Sequence, residues 1–213
     1  MKDDITETVP ATTRRGRKPA RVSRRDDIAR IAMGLFARNG FDGTSIRDIA
    51  EAAGLTKPAL YYHFQDKEAL YEYVLVERMT RLNAAVKAAV ETSDDPLAQI
   101  GLFLETHARR MDEDRTGWVT SRQSFTSITD PERRARVTRL RDEFEHLLRD
   151  RIETAMQRGL LDRSASASTV ARMLLSAVND LARWMKPGGD LTAQEVARSY
   201  VEITLRGLGA ARA

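Results

Sequence analysis

From Ser23 onward the apolar residues recur at helical spacing, and no stretch alternates apolar and polar residues as a half-buried strand would. That pattern restricts the chain to an all-α fold. Ile28, Ile31, Ala32, Leu35 and Phe36 fall at i, i+3, i+4, i+7 and i+8, one apolar face. Ser23 with Asp26 three residues on reads as a capping-box start, and Asn39-Gly40 supplies a left-handed stop. The same punctuation repeats. Ser45 with Asp48 opens a short helix that ends at Gly54, Thr56 opens another with Pro58 in its first turn, and Asp66 precedes a helix over 67–90. Further helices are predicted near 95–112, 116–127, 131–158, 165–186 and 192–209, about nine in all. So many apolar faces need at least two layers of helix, and 213 residues can bury such a core without a metal or disulfide.

Several function classes drop out early. The chain has no cysteine, which removes disulfide scaffolds, thiolate metal sites and cysteine nucleophiles together. No apolar run approaches the ~20 residues of a membrane span, and the opening MKDDITETVP lacks the apolar core of a secretory signal. A cytoplasmic protein with no membrane partner is expected. His63, His107 and His146 lie far apart without paired metal-ligand spacing. There is no phosphate-cradling loop, dinucleotide-binding glycine pattern or nucleophile elbow. Neither catalysis nor a cofactor nor a metal is expected.

Charge is unevenly distributed. The net total is +4, yet residues 1–25 alone carry eight cations against three acids. Seven cations from Arg14 to Arg25 are uninterrupted by any acid. Such a block suits a polyanion, although a solvated tail without a partner has the same composition. Within it, Arg15 and Arg17 flank Gly16 ahead of Lys18-Pro19, similar to arms that enter A·T-rich minor grooves. Residues 1–22 are therefore read as a disordered basic arm, ahead of a smaller helical unit over 23–67 and a larger one over 68–213.

Residues 45–63 have the helix-turn-helix pattern: a short amphipathic helix, a turn at Ala53-Gly54 and a second short helix. In such a unit the second helix enters the major groove N-terminal end first. Here that helix offers Thr56, Lys57, Ala59, Tyr61, Tyr62 and His63, none of them acidic. An ordinary helical corner with a stacked Tyr–Tyr–His core would read the same way.

The stretch from Ile28 to Tyr71, and above all FARNGFDGTSIRDIAEAAG, ALYYHF and DKEALY, resembles the DNA-binding domain of the TetR family of one-component repressors. The resemblance implies a helical homodimer whose N-terminal heads grip double-stranded operator DNA and whose C-terminal domain binds a small-molecule inducer. By family position Thr44 and Ser45 would touch the DNA backbone, Thr56, Lys57, Tyr61, Tyr62 and His63 would form the recognition segment, and Lys67 would contact a phosphate. Ala59 would let helix and duplex approach. Leu55, Leu60 and Phe64 are read as core.

The C-terminal half, including DPLAQIGLFLETHARRM and LARWMKPGGDLTAQEVARSYVEITLRGL, is similar to a branch of the family that controls lipid and steroid catabolism and answers to acyl-coenzyme A thioesters. Asp180 departs from that branch, where a neutral aromatic is expected: it could repel a thioester's phosphates, favouring a neutral or cationic inducer, or could instead pair with Arg183. By residue character the pocket candidates are Phe103, His107, Arg110, Trp118, Arg122, Phe125, Phe144, Arg151, Met173 and Arg183, aromatics mixed with arginines that suit an apolar body with an anionic end. Val170, Leu174, Ala177, Leu181 and Trp184 form a stripe that could pack helices side by side, with Tyr200 on a matching face, or could equally be internal core. The resemblance implies a four-helix dimer interface there. A ligand-free architectural DNA-binding protein and a helical-bundle enzyme or carrier remain the competing readings.

Overall fold

The structure is a computed structural model that describes residues 23–123, 127–186 and 188–209, without the side chains of residues 120–123. Among the described residues nine helices follow in order: α1 (Arg24–Asn39), α2 (Ile46–Ala52), α3 (Lys57–His63), α4 (Lys67–Val90), α5 (Pro96–Glu113), α6 (Arg115–Gln123), α7 (Pro131–Gln157), α8 (Ala167–Trp184) and α9 (Ala193–Gly207). None is long and apolar enough to cross a membrane.

Helix starts follow local chemistry. Ser23, Ser45 and Thr192 form reciprocal capping boxes with Asp26, Asp48 and Glu195. Thr56, Asp66, Asp95, Asp130 and Ser166 each accept a first-turn amide. Each such cap contributes about 1 kcal/mol and sets where the helix begins.

The helices bury their stripes in two clusters. The first gathers Ile28, Ala32 and Phe36 of α1, Ile49 of α2 and Leu60 of α3 with Leu70, Tyr71, Val74 and Leu75 of α4. Phe36, Phe41 and Tyr71 form its aromatic centre, with ring centroids 5.0–5.5 Å apart. Ile128 and Val137 close it from the far side of the chain. The second cluster is built around α5, whose Ile100, Phe103, Leu104, Ala108 and Met111 meet α4, α7, α8 and α9. Full burial of one such large apolar side chain contributes roughly 1.5–3 kcal/mol.

Helix α4 serves both clusters, its first half packing on α1 and its later residues on α5 and α7. An ion-pair joint reinforces its start. Asp66, besides capping α4, accepts both arms of the Arg133 guanidinium at 2.7 and 2.9 Å, and Glu68 accepts from the Thr129 hydroxyl. Burial pushes the Asp66 carboxyl up, but the Arg133 and Ala69 bonds outweigh it and hold the pKa below the usual carboxylate range.

The stripe on α8 points inward. Val170, Leu174 and Leu181 are buried in the chain's own second cluster, so Leu174 and Leu181 cannot present a seam to a partner. What α8 and α9 leave outside is different: Met173, Trp184 and Ile203 are exposed, and Tyr200 is half-buried.

Candidate nucleic-acid interface and ligand cavity

Helices α2 and α3 meet at Gly54, which sits at φ 64, a left-handed conformation that a side chain would strain. Two backbone bonds, Gly54 to Glu51 and Leu55 to Ala50, close the turn. Arg24 braces it from α1 by donating to the Ala53 carbonyl at 2.7 Å. Leu60 anchors α3 in the core, which turns the opposite face of α3 to solvent. On that face Lys57 is exposed, Tyr61 is 50% exposed and Tyr62 88%. His63 is half-buried and meets the edge of Tyr62 at 5.4 Å. Ala59 is half-buried, and Thr56 and Ser45 are exposed cap residues.

Two of the expected contacts have internal jobs instead. Thr44 is fully buried and its hydroxyl donates to the Gly40 carbonyl at 2.8 Å. The Lys67 ammonium donates to the Phe41 and Thr44 carbonyls at 2.8 and 3.0 Å and lies 4.2 Å above the Phe41 ring. Both residues hold the 40–44 turn that launches α2, so Thr44 is closed to solvent and the half-buried Lys67 ammonium is engaged by backbone carbonyls. Arg15 and Arg17 lie outside the described residues.

A lock between α1 and α4 carried no signal in the sequence. The Tyr73 hydroxyl donates to Asp26 at 2.7 Å, and Arg25 stacks 4.7 Å from Phe64 and 4.8 Å from Tyr73. The Tyr73 bond is the main reason that the Asp26 pKa lies below its ordinary value.

A cavity of about 350 Å³ lies among α4, α5, α6, α7 and α8. Its apolar wall includes Leu75, Met79, Leu82, Trp118, Phe144 and Leu175, and its polar groups are Arg78, His107, Arg141, Asp142, Glu145, Ser176 and Asn179. His107 is buried with its ring 5.0 Å from Trp118 and 5.1 Å from Phe144. Burial depresses its pKa to about 3, the Arg78 charge acting in the same sense and Asn179 against it. Asn179 is a polar neighbour without being a bonded one, since neither ring nitrogen has a partner in hydrogen-bonding geometry. Arg78 lies 4.8 Å from the Trp118 ring and pairs with Asp114, yet its Nε has no partner. Gly117 makes this approach possible, because a Cβ there would collide with the Arg78 guanidinium and the Asp114 carboxylate.

Of the pocket candidates, His107, Trp118 and Phe144 come together in this wall. Phe103 sits one layer behind, buried 4.6 Å from the Phe144 ring. Arg151 turns back to the Leu147 carbonyl, Arg110 pairs with Glu113 on the surface, and Arg183 and Met173 are exposed. None of these four lines the cavity, and neither does Asp180. Arg110 and Arg183 fall away because each is exposed on its helix, where solvent or a carboxylate takes the charge at lower cost than an apolar wall, whereas half-buried Arg151 is held by a backbone carbonyl. The Arg122 side chain and Phe125 lie outside the described residues. Arg78, Arg141 and Asn179 are lining groups that sequence reasoning missed. Arg78 did leave a trace: it is a charge placed inside the apolar stripe Leu75, Met79, Leu82 and Val86.

Comparison with known proteins accounts for both halves. Residues 28–74 match the family described as bacterial regulatory proteins, tetR family, and residues 93–208 match the tetracyclin repressor-like C-terminal domain. The HTH-type transcriptional repressor KstR2 of Mycolicibacterium smegmatis is 30% identical over 206 residues, covering 87% of this chain and 91% of that protein. The crystal structure of the TetR family regulator PfmR from Thermus thermophilus superposes with a TM-score of 0.77 at 36% identity, over 85% of this chain and 98% of that one. AibR, solved with isovaleryl coenzyme A and operator DNA, gives a TM-score of 0.77 at 25% identity, over 85% of this chain and 97% of that one. With its head, its C-terminal half and nearly its whole length matched in this way, the chain belongs to the TetR family of DNA-binding transcriptional regulators and is not an enzyme.

Proposed function

We propose that this protein is a cytoplasmic, homodimeric repressor that leaves a palindromic operator when a small molecule, an acyl-coenzyme A thioester, occupies the α4–α8 cavity. Residues 23–67 act as the DNA head, with Ser45, Thr56, Lys57, Ala59, Tyr61, Tyr62 and His63 facing the duplex, and 68–213 act as the ligand-binding and dimerising unit. The basic arm, with Arg15 and Arg17, adds contacts to flanking DNA. Exposed Met173, Trp184 and Ile203, with half-buried Tyr200, make the dimer face.

The observation that carries this reading is the placement of Trp118. It lines the cavity from α6, and α6 packs on α1 of the DNA head as well as on α8. A ligand that seats against Trp118 therefore bears on an element in contact with α1. Such a ligand lowers DNA affinity only as far as it prefers the conformer with wrongly spaced heads. Relatives support the two partners: KstR2 is named a repressor, and AibR was solved with an acyl-coenzyme A and operator DNA.

Footprinting of the DNA flanking this protein's own coding region tests the reading. A discrete palindrome released by an acyl-coenzyme A supports it. Broad A·T-rich coverage insensitive to every thioester would make the protein architectural.

A further inference from the structure

Two polar side chains in the α4–α8 cavity are incompletely served by the protein. Both ring nitrogens of His107 and the Nε of Arg78 are buried without a hydrogen-bond partner, and both side chains line the same volume. Buried polar atoms are almost always paired, because a desolvated and unpaired group forfeits the bonds that it made with water. Convergent polar groups in a mostly apolar enclosure are the means by which a pocket fixes the orientation of its ligand.

The charge around them decides which ligand atoms fit. The lining holds two arginines, Arg78 and Arg141, and two acids, Asp142 and Glu145, so its formal charges cancel. Arg78 is further occupied by Asp114 and Glu145 by Arg172, so neither sign is left in excess. A carboxylate or phosphate brought inside meets no surplus cation, and an ammonium no surplus acid. His107 is a neutral imidazole here, desolvated beside Trp118 and Phe144. It offers one N–H and one lone pair, and Arg78 Nε offers a second N–H. A carbonyl oxygen can accept from both donors, and a hydroxyl can accept from Arg78 Nε while donating to the imidazole lone pair.

Building on the ligand-responsive reading above, we propose that the cavity selects the buried end of its ligand by an uncharged carbonyl or hydroxyl oxygen seated against His107 and Arg78 Nε. The skeleton carrying that oxygen is compact and apolar, in keeping with a volume of about 350 Å³. Charged parts of the ligand stay outside the cavity.

A set of adamantane probes separates the chemistries, because one rigid cage carries each function in turn. Full-length protein is titrated with adamantane, 2-adamantanone, 2-adamantanol, adamantane-1-carboxylate and 1-adamantylammonium, using ligand-observed NMR and the intrinsic tryptophan fluorescence. The ketone and alcohol are expected to bind about tenfold more tightly than the hydrocarbon, as a site with unpaired donors discriminates against a ligand that leaves them unpaired. The carboxylate and ammonium are expected to bind no more tightly than the hydrocarbon. His107→Phe should abolish the preference for oxygen while retaining hydrocarbon binding, and His107→Gln, which keeps a donor and an acceptor, should retain part of it. Thermal melts check that both variants are folded. The proposal is overturned if the carboxylate or the ammonium binds best, if no probe binds, or if His107→Phe keeps the full preference. The repressor reading fails by a different readout. Thioesters that leave the DNA complex intact sink that reading even when probe selectivity holds, and thioesters that release DNA uphold it even when probe selectivity is absent.

Discussion

Arg78 of α4 donates to the Asp114 carboxylate at 2.7 Å and to the Asp114 carbonyl at 3.2 Å, so the residue that ends α5 holds the cavity's own arginine in position. Burial lowers the Arg78 pKa, and Asp114 counters the shift. The pair is asymmetric: the arginine side chain is mostly covered, whereas the aspartate is more than half exposed.

That asymmetry predicts unequal mutants. Asp114→Ala leaves a covered guanidinium with a backbone carbonyl but no carboxylate and should cost about 1–3 kcal/mol, the lower end applying because water can reach the vacated site. Arg78→Met removes the charge together with its need for a partner and should cost less. Urea unfolding of the two variants ranks them, and the opposite order would mean that Arg78 contributes chiefly by packing on Trp118.

His107 predicts a pH dependence. Its pKa falls from 6.5 to about 3 on folding, so below pH 6.5 the unfolded chain binds a proton that the folded chain refuses. Stability contributed by the neutral ring is therefore complete above 6.5 and declines as pH falls toward 3, by up to about 1.4 kcal/mol per pH unit. Between about pH 7 and pH 5, wild type should lose roughly 2 kcal/mol more than His107→Phe. Parallel stability curves for the two proteins would show that His107 does not titrate in this way.

Outward and inward residues of the DNA head should separate cleanly. Lys57→Ala and Tyr61→Ala should weaken DNA binding with little change in melting temperature, and Lys57→Ala should lower the slope of log affinity against log salt by about one. Lys67→Met should instead cost on the order of 1 kcal/mol of stability, because it frees the Phe41 and Thr44 carbonyls, and should leave the salt slope unchanged. A reduced slope in Lys67→Met would return that lysine to the phosphate contacts.

On α8 the two faces predict different failures. Leu181→Asp places a charge in the chain's own core and should unfold the protein, at a cost of several kcal/mol. Trp184, 52% exposed, and Ile203, 70% exposed, sit on the outer face. The double variant Trp184→Glu with Ile203→Glu should stay helical and run as a monomer in light scattering. A folded dimer from that double variant would move the interface elsewhere.

What the sequence determined by itself was local. Ser23, Ser45, Thr56 and Asp66 start helices because each cap bonds an amide three residues away, and Gly54 marks the turn because few residues tolerate its φ. The core roles of Leu60 and Phe64 were legible for the same reason, since spacing along a short helix fixes which side chains share a face. Spacing does not say what covers that face. Leu174 and Leu181 form a stripe that could meet a partner or the same chain, and only the packing of α8 on α5 and α7 decided for the chain itself. Thr44 and Lys67 were likewise assigned outward by position in the family pattern, and the carbonyls that claim them belong to a turn more than twenty residues from Lys67. The cavity was half legible. His107, Trp118 and Phe144 stood out as rings among arginines, but the arginine that lines the wall is Arg78, held by a residue 36 positions away. Contacts of that range depend on how helices stack, a global minimum of burial and charge pairing that no local window of sequence contains.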